Sequence, residues 1–202
     1  MRRAELSKNP VAREAYRRKA VKVLQGEFTN VSLDDPYALS TFARIKVLRL
    51  KDLLDEPNTT RETVESSVSE IETMLSRALQ RFPSHEHLLA IEADLATLLR
   101  DNNGARRALE EAVKLNIKNA PIVNRLSRMY MEAGEKEKAL ALLERALEQR
   151  STDQSLNFRF ARLLMETDGS PSSVETHLRR SFAPGDNNHA AQFLYARQLY
   201  IN

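Results

Sequence analysis

A large apolar residue, a small residue and an arginine follow one another repeatedly along the chain, including at Phe42-Ala43-Arg44, Leu126-Ser127-Arg128, Phe160-Ala161-Arg162 and Tyr195-Ala196-Arg197. A fifth triplet, Glu92-Ala93-Asp94, keeps only the small residue. A guanidinium presents paired N–H groups in one plane, matched to two oxygens of a carboxylate or phosphate, so arginines recurring in one local context predict recognition of anionic groups. The competing expectation is that each pairs with a carboxylate nearby, Glu132 for Arg128 or Glu166 for Arg162, and only braces the fold.

Other chemistry is harder to assemble from these residues. His85-Glu86-His87 has the look of a metal pair, but that spacing at a helix start is expected to turn the two imidazoles apart, and no cysteine or further histidine lies nearby in sequence. The chain contains no phosphate-binding G-x-x-x-x-G-K-[ST] loop, no G-x-G-x-x-G, no H-E-x-x-H and no nucleophile elbow. Carboxylates are plentiful, yet no pair stands out as a general acid and base. The sequence therefore points to a non-catalytic protein with no metal and no cofactor.

The elements that carry these residues are helical. Of 202 residues only five are glycine and seven proline, and 42% are hydrophobic, enough for a chain of this length to bury roughly 70% of its unfolded surface. Ala, Leu, Glu, Lys and Arg dominate, the residues that lose least on entering a helix, so an all-α protein is expected. No apolar run approaches the length of a membrane span of about 18 residues, there is no cysteine, and the start "MRRAELSKNP" lacks the apolar segment of a signal peptide. A cytoplasmic protein is the expectation. Residues 1–26 hold eight basic side chains against Glu5 and Glu14, a net +6; since the whole chain is +3, the remainder is −3. A basic helix near 10–25, followed by a loop over 27–35, is read there, either as a solvated face or as a contact for an acidic partner or nucleic acid.

Internal repetition organises the rest. Ala105, Leu109 and Ala112 recur 34 residues later as Ala139, Leu143 and Ala146. Leu126-Ser127 recurs after 34 residues as Phe160-Ala161 and after 35 more as Tyr195-Ala196. With Val123, Tyr130 and the turn residue Gly134, this period resembles the tetratricopeptide repeat, a helix-turn-helix unit with the pattern W-x2-L-G-x2-Y, A-x3-F and P. Departures are Ser151 in place of the closing proline, Glu92 at an apolar position, Asn157 and Gln192 in place of the aromatic, and a turn lengthened by one residue at "DGSPSS". The repeats are placed at 86–119, 120–153, 154–188 and, in part, 189–202. Acidic residues and Pro36 open a helix near 37–55, and threonines ahead of Arg61 open one near 61–82; this longer hairpin, 36–85, is read as a divergent first repeat.

The resemblance implies an α-solenoid of about ten helices whose first helices line a concave groove. It places Arg44, Arg128, Arg162 and Arg197 in that groove, flanked by Asn124, Met131, Phe158 and Phe193, with Met165 and Tyr200 on the same face. Arginines among apolar and aromatic anchors suit a peptide or protein partner, including one with acidic groups. The last helix, "HAAQFLYARQLYIN", has Arg197 as its one charged side chain, and its repeat register puts the turn glycine one residue past Asn202. A capping helix should have a polar outer face, so coverage by a continuation or by self-association is expected. The second reading follows from a resemblance of "DDPYALSTFARI" and "AAQFLYARQLYIN" to the C-terminal repeat regions of bacterial signalling NTPases: the chain would be the sensor part of a larger enzyme. Nucleic-acid binding through the basic helix and the arginines is the third.

Overall fold

The structure is a computed structural model and describes residues 35–183, 185, 186 and 188–201. Among these are nine helices and no strand, in keeping with the all-α, hairpin-repeat class; the basic segment read as a further helix lies outside the described residues. The chain divides into two compact units, 1–105 and 106–202.

In the first unit, α1 runs Pro36–Asp55, α2 Arg61–Arg81 and α3 Glu86–Leu98. The expected ends, 37–55 and 61–82, each fall within one residue because capping chemistry marks them. Asp35 accepts the Tyr37 N–H at 2.9 Å, and Pro36 occupies the first turn, where a missing N–H costs nothing. Thr60 Oγ1 accepts the Thr63 N–H at 3.2 Å and opens α2. On α1, Leu39, Ala43, Val47 and Leu50 recur at helical spacing along one face. They meet Ile71, Leu75 and Ala78 of α2 and Leu88, Ile91 and Leu95 of α3 in one buried cluster. Ala43 is 1% exposed, and its lack of bulk lets a neighbouring helix approach closely.

A fourth helix, α4 (Asn102–Leu115), carries the division between the units. In the second unit follow α5 (Ala120–Glu132), α6 (Lys136–Gln149), α7 (Gln154–Glu166), α8 (Pro171–Arg180) and α9 (His189–Ile201). Each packs on its successor from α5 to α9, and α5 also touches α7. That adjacency of alternate helices is what stacking hairpins produces. Val123, Leu126 and Ser127 of α5, Ala139, Leu143 and Ala146 of α6, and Leu156, Phe160 and Ala161 of α7 are all buried. The small position tolerates serine because Ser127 Oγ donates to Asn124 O at 3.0 Å, so the hydroxyl is satisfied within its own helix.

The turns repeat more faithfully than the residues do. Arg100, Gly134 and Asp168, 34 residues apart, have φ of +61°, +75° and +54°. After each, an N–H reaches back five residues: Asp101 to Ala96 O at 2.9 Å, Glu135 to Tyr130 O at 2.8 Å, Gly169 to Leu164 O at 2.8 Å. This is the Schellman arrangement, in which a left-handed residue lets the chain satisfy the last helical carbonyls and reverse.

Candidate functional site

The arginines named from the sequence occupy different surroundings. Arg44 is exposed on α1 of the first unit. Arg128 on α5, Arg162 on α7 and Arg197 on α9 are exposed in the second. Arg44 and Arg197 have no carboxylate partner among the described residues. Arg128 Nε lies 3.6 Å from Glu132 Oε1, and Arg162 Nη2 lies 3.8 Å from Glu166 Oε1. Both glutamates sit one helical turn after their arginine, as the bracing expectation requires, but the separations exceed hydrogen-bond length and all four side chains are about half exposed. Exposed pairs of this kind contribute about 0.2–1 kcal/mol, too little to hold a guanidinium against a better-placed anion.

Contact between α5 and α7 brings Asn124, Arg128, Phe158 and Arg162 into one region. Half-buried Asn124 bridges the two helices, its Nδ2 donating to Ser155 Oγ at 3.1 Å. The Ser155 hydroxyl donates in turn to Asp153 Oδ1 at 2.8 Å, and Asp153 caps α7 by accepting the N–H groups of Ser155 and Leu156, both at 3.0 Å. Asn124 Oδ1 is buried and has no donor. Burial opposes ionisation of Asp153, but those N–H groups, the hydroxyl and the nearby Arg150 outweigh it and hold the carboxyl below its ordinary range.

Phe158, Met131, Phe193 and Tyr200 differ in exposure. Phe158 is half-buried and packs, with Met165, Leu194 and Tyr195, against the buried Ala161, Val174 and Leu178. Met131 is half-buried at the end of α5. Phe193 on α9 is 68% exposed and Tyr200 93%, so α9 presents aromatic surface one turn on either side of Arg197.

Sequence reasoning overlooked three groups. Arg159 lies between Phe158 and Phe160; burial, followed by the charges of Arg162 and Arg128, pulls its guanidinium below its ordinary range. A signal was available, because Arg125 and Arg159 recur at the same 34-residue spacing as Arg128 and Arg162. Arg106 forms a second group: its Nε donates to Glu110 at 2.8 Å and its Nη2 to Glu135 at 3.0 Å, while its guanidinium carbon stands 5.0 Å from the centre of the Tyr130 ring. Tyr130 Oη also donates to Glu110, at 2.9 Å. Burial, then the bond to Glu110, pushes the Tyr130 phenol up to about 12. Burial would raise Glu110, yet the bonds from Arg106 and Tyr130 win and lower it. This group ties α4 to α5 and to the turn after it. The third is Asn157, 0% exposed where an aromatic was expected. Its Nδ2 donates to Ser151 O and Asp153 O at 2.9 and 2.8 Å, and its Oδ1 meets His177 Nδ1 at 2.8 Å, so a polar side chain at a core position is fully partnered.

The expected divergence of His85 and His87 does not hold. His85 precedes α3 as its cap, free of helical geometry, and the two ring centres are 5.6 Å apart. Among the described residues no group of three or more His, Cys, Asp or Glu is placed to hold a metal. Likewise, no described helix is long and apolar enough to cross a membrane.

Stacked helix hairpins whose alternate helices touch define a helical-repeat protein of the α-solenoid class. Residues 96–157 match the tetratricopeptide repeat family, so that part of the chain carries tetratricopeptide repeats. No curated protein matches the chain. Among solved structures it is similar to TTC0263, a tetratricopeptide-repeat protein of Thermus thermophilus, at 17% identity over 94% of each chain with a TM-score of 0.59. It is also similar to YrrB, described as a tetratricopeptide-repeat protein with an unusual peptide-binding site, at 15% identity over 83% of this chain and 78% of that one, with a TM-score of 0.56. MamA follows at 11% identity over 83% and 82%, with a TM-score of 0.56. At these identities the likeness concerns the fold.

Proposed function

We propose that the chain is a non-catalytic protein-interaction module that takes a peptide or protein partner on the concave face of its repeats, with Arg128 and Arg162 as anchors for anionic groups. The observation that carries this reading is the packing of α5 on α7, bridged by Asn124 and Ser155, beside two exposed arginines that no close ion pair consumes. A surface of this kind costs stability little and offers directional donors, which is what a binding face needs and a brace does not. The peptide site for which YrrB is described supports the same use of the fold. Met131, Phe158, Phe193 and Arg197 belong to the reading as flanking contacts; Arg44, on the first unit, is read as an anionic contact of that unit by itself. The test is capture of partners from source-cell extract by the native chain and by the Arg128→Ala, Arg162→Ala double variant. Lost capture with unchanged melting supports the reading, and retained capture with lower melting overturns it in favour of bracing.

A second reading makes the chain the sensor part of a larger signalling protein. Phe193, Leu199 and Tyr200, all more than half exposed on α9, favour it as an apolar face suited to a further packed element. Blotting source cells for the native protein separates the two: a band near 23 kDa supports a free-standing adaptor, a much larger one the sensor.

A further inference from the structure

Arg159 differs from the other arginines of this face. It is half-buried where Arg128 and Arg162 are exposed, and it makes no ion pair or hydrogen bond with another described residue. Its charged neighbours are Arg162 and Arg128 on one side of the balance and Glu166 and Glu132 on the other. A desolvated guanidinium held beside two like charges is a costly arrangement, and the attraction of an anion seated on it offsets the desolvation and the repulsion. Five charged groups therefore leave this corner of the face with one net positive charge, and the group least hydrated is the one without a partner.

The balance discriminates between anions. One carboxylate would neutralise the corner, whereas a dianionic phosphoryl group would turn it net negative beside Glu132 and Glu166. Apolar surface adjoins it: Phe158 precedes Arg159 in the chain and packs, as Leu194 and Tyr195 of α9 do, against the buried Ala161, Val174 and Leu178, and Phe193 on α9 is largely exposed. α7 and α9 both pack on α8; neighbouring helices stand about 8–10 Å apart and an extended peptide advances about 3.3 Å per residue, so a strand crossing from α7 to α9 moves at least roughly three residues between the two features.

Resting on the groove reading above, we propose that Arg159, with Arg128 and Arg162 beside it, is the specificity-determining anchor for a side-chain carboxylate within an extended peptide, and that Phe158 and Phe193 take a large apolar side chain about three or more residues away. The partner is thus an acidic-apolar segment internal to a chain, and its recognition uses a single carboxylate.

Panning randomised, phage-displayed dodecapeptides against the full chain tests this whatever the natural partner is. The expected result is enrichment of Asp or Glu about three or more residues from a Phe, Leu or Met. A synthetic peptide of the selected sequence, acetylated and amidated at its ends, should lose about tenfold or more in affinity when its acid becomes Gln, or when the protein carries Arg159→Gln. Arg159→Lys, which keeps the charge but not the fork, should fall between. Phosphoserine in place of the acid should weaken binding. The acid-to-Gln peptide is measured on the unaltered protein, so a folding defect in the variants cannot imitate the result. Selection of peptides without an acid, unchanged affinity with the Gln peptide, tighter binding of the phosphoserine peptide, or a requirement for a free C-terminus each overturns the assignment to Arg159. Enrichment of no peptide at all overturns the groove reading itself.

Discussion

Replacing Gly134 by alanine isolates the cost of one backbone conformation. Its φ is +75°, and a Cβ built there has no atom within 4 Å, so neither a clash nor a lost contact complicates the substitution. An L-residue in the left-handed region costs about 1–2 kcal/mol, and the smaller entropy of an unfolded alanine offsets about 0.4–1 of it. The net expectation is a loss of about 0.5–1 kcal/mol, or a melting temperature lower by roughly 1–4 °C in a chain of this size. The same reasoning runs in reverse at Arg100, which already holds φ of +61° with an exposed side chain and no ion pair among the described residues. Arg100→Gly should therefore stabilise by about the same amount, and Asp168→Gly by less, since aspartate visits this region more readily than most residues. Urea unfolding followed by far-UV circular dichroism measures all three. A neutral or stabilising Gly134→Ala, or a destabilising Arg100→Gly, would refute the claim that these turns are governed by backbone conformation alone.

Other consequences can be checked on the same footing. Arg106→Ala should destabilise by about 1–3 kcal/mol, since it leaves Glu110 and Glu135 without their shared donor, and Tyr130→Phe by about 1 kcal/mol; a chemical-denaturation series in which neither changes the midpoint would remove the network from the account. Arg128→Ala with Arg162→Ala should change stability by less than about 1 kcal/mol, because both ion pairs are exposed, and calorimetry would expose a larger effect. Acidification should act through His177, whose imidazole is held below its ordinary value of 6.5 by burial and then by Arg180. The unfolded chain then takes up the proton first, so stability is full above about pH 6.5 and falls as pH drops toward the folded value. His85 is lowered in the same sense, by burial and then by His87. His177→Gln keeps a donor for Asn157 and should flatten part of the slope between neutral and mildly acidic pH, which melting curves across that range would show.

What could be read from the sequence follows from which forces are local. The starts of α1 and α2 were legible because Asp35, Pro36 and Thr60 act on residues within three positions. Most small-residue positions were legible too, since Ala43, Ser127 and Ala161 follow large neighbours and prove buried, but Ala196, read as the last copy, is exposed, and Ala191 is the small residue that α9 buries. Gly134 announced its turn, but Arg100 and Asp168 did not: there the stacking of helices imposes a conformation that local preference resists. Asn157 looked like a defect in the pattern because its partner, His177, lies 20 residues away and is chosen by packing. For the candidate site, the spacing that singled out Arg128 and Arg162 applied equally to Arg125 and Arg159. The sequence could not say which of them burial would leave without a counter-charge.

Asp153 reaches further than its own helix. Because its carboxylate claims the single proton of Ser155, that hydroxyl has only lone pairs left for Asn124, and the Asn124 amide is obliged to turn its nitrogen toward α7 and its oxygen away. The orientation of a half-buried amide on α5 is thus set by an acid at the cap of α7. If Asp153 were protonated, or exchanged for a residue that donates, Ser155 could offer its proton instead, and the amide would be free to reverse. A change away from the arginines would then give the buried, unpartnered Asn124 oxygen a donor in Ser155 and turn the amide nitrogen into its place.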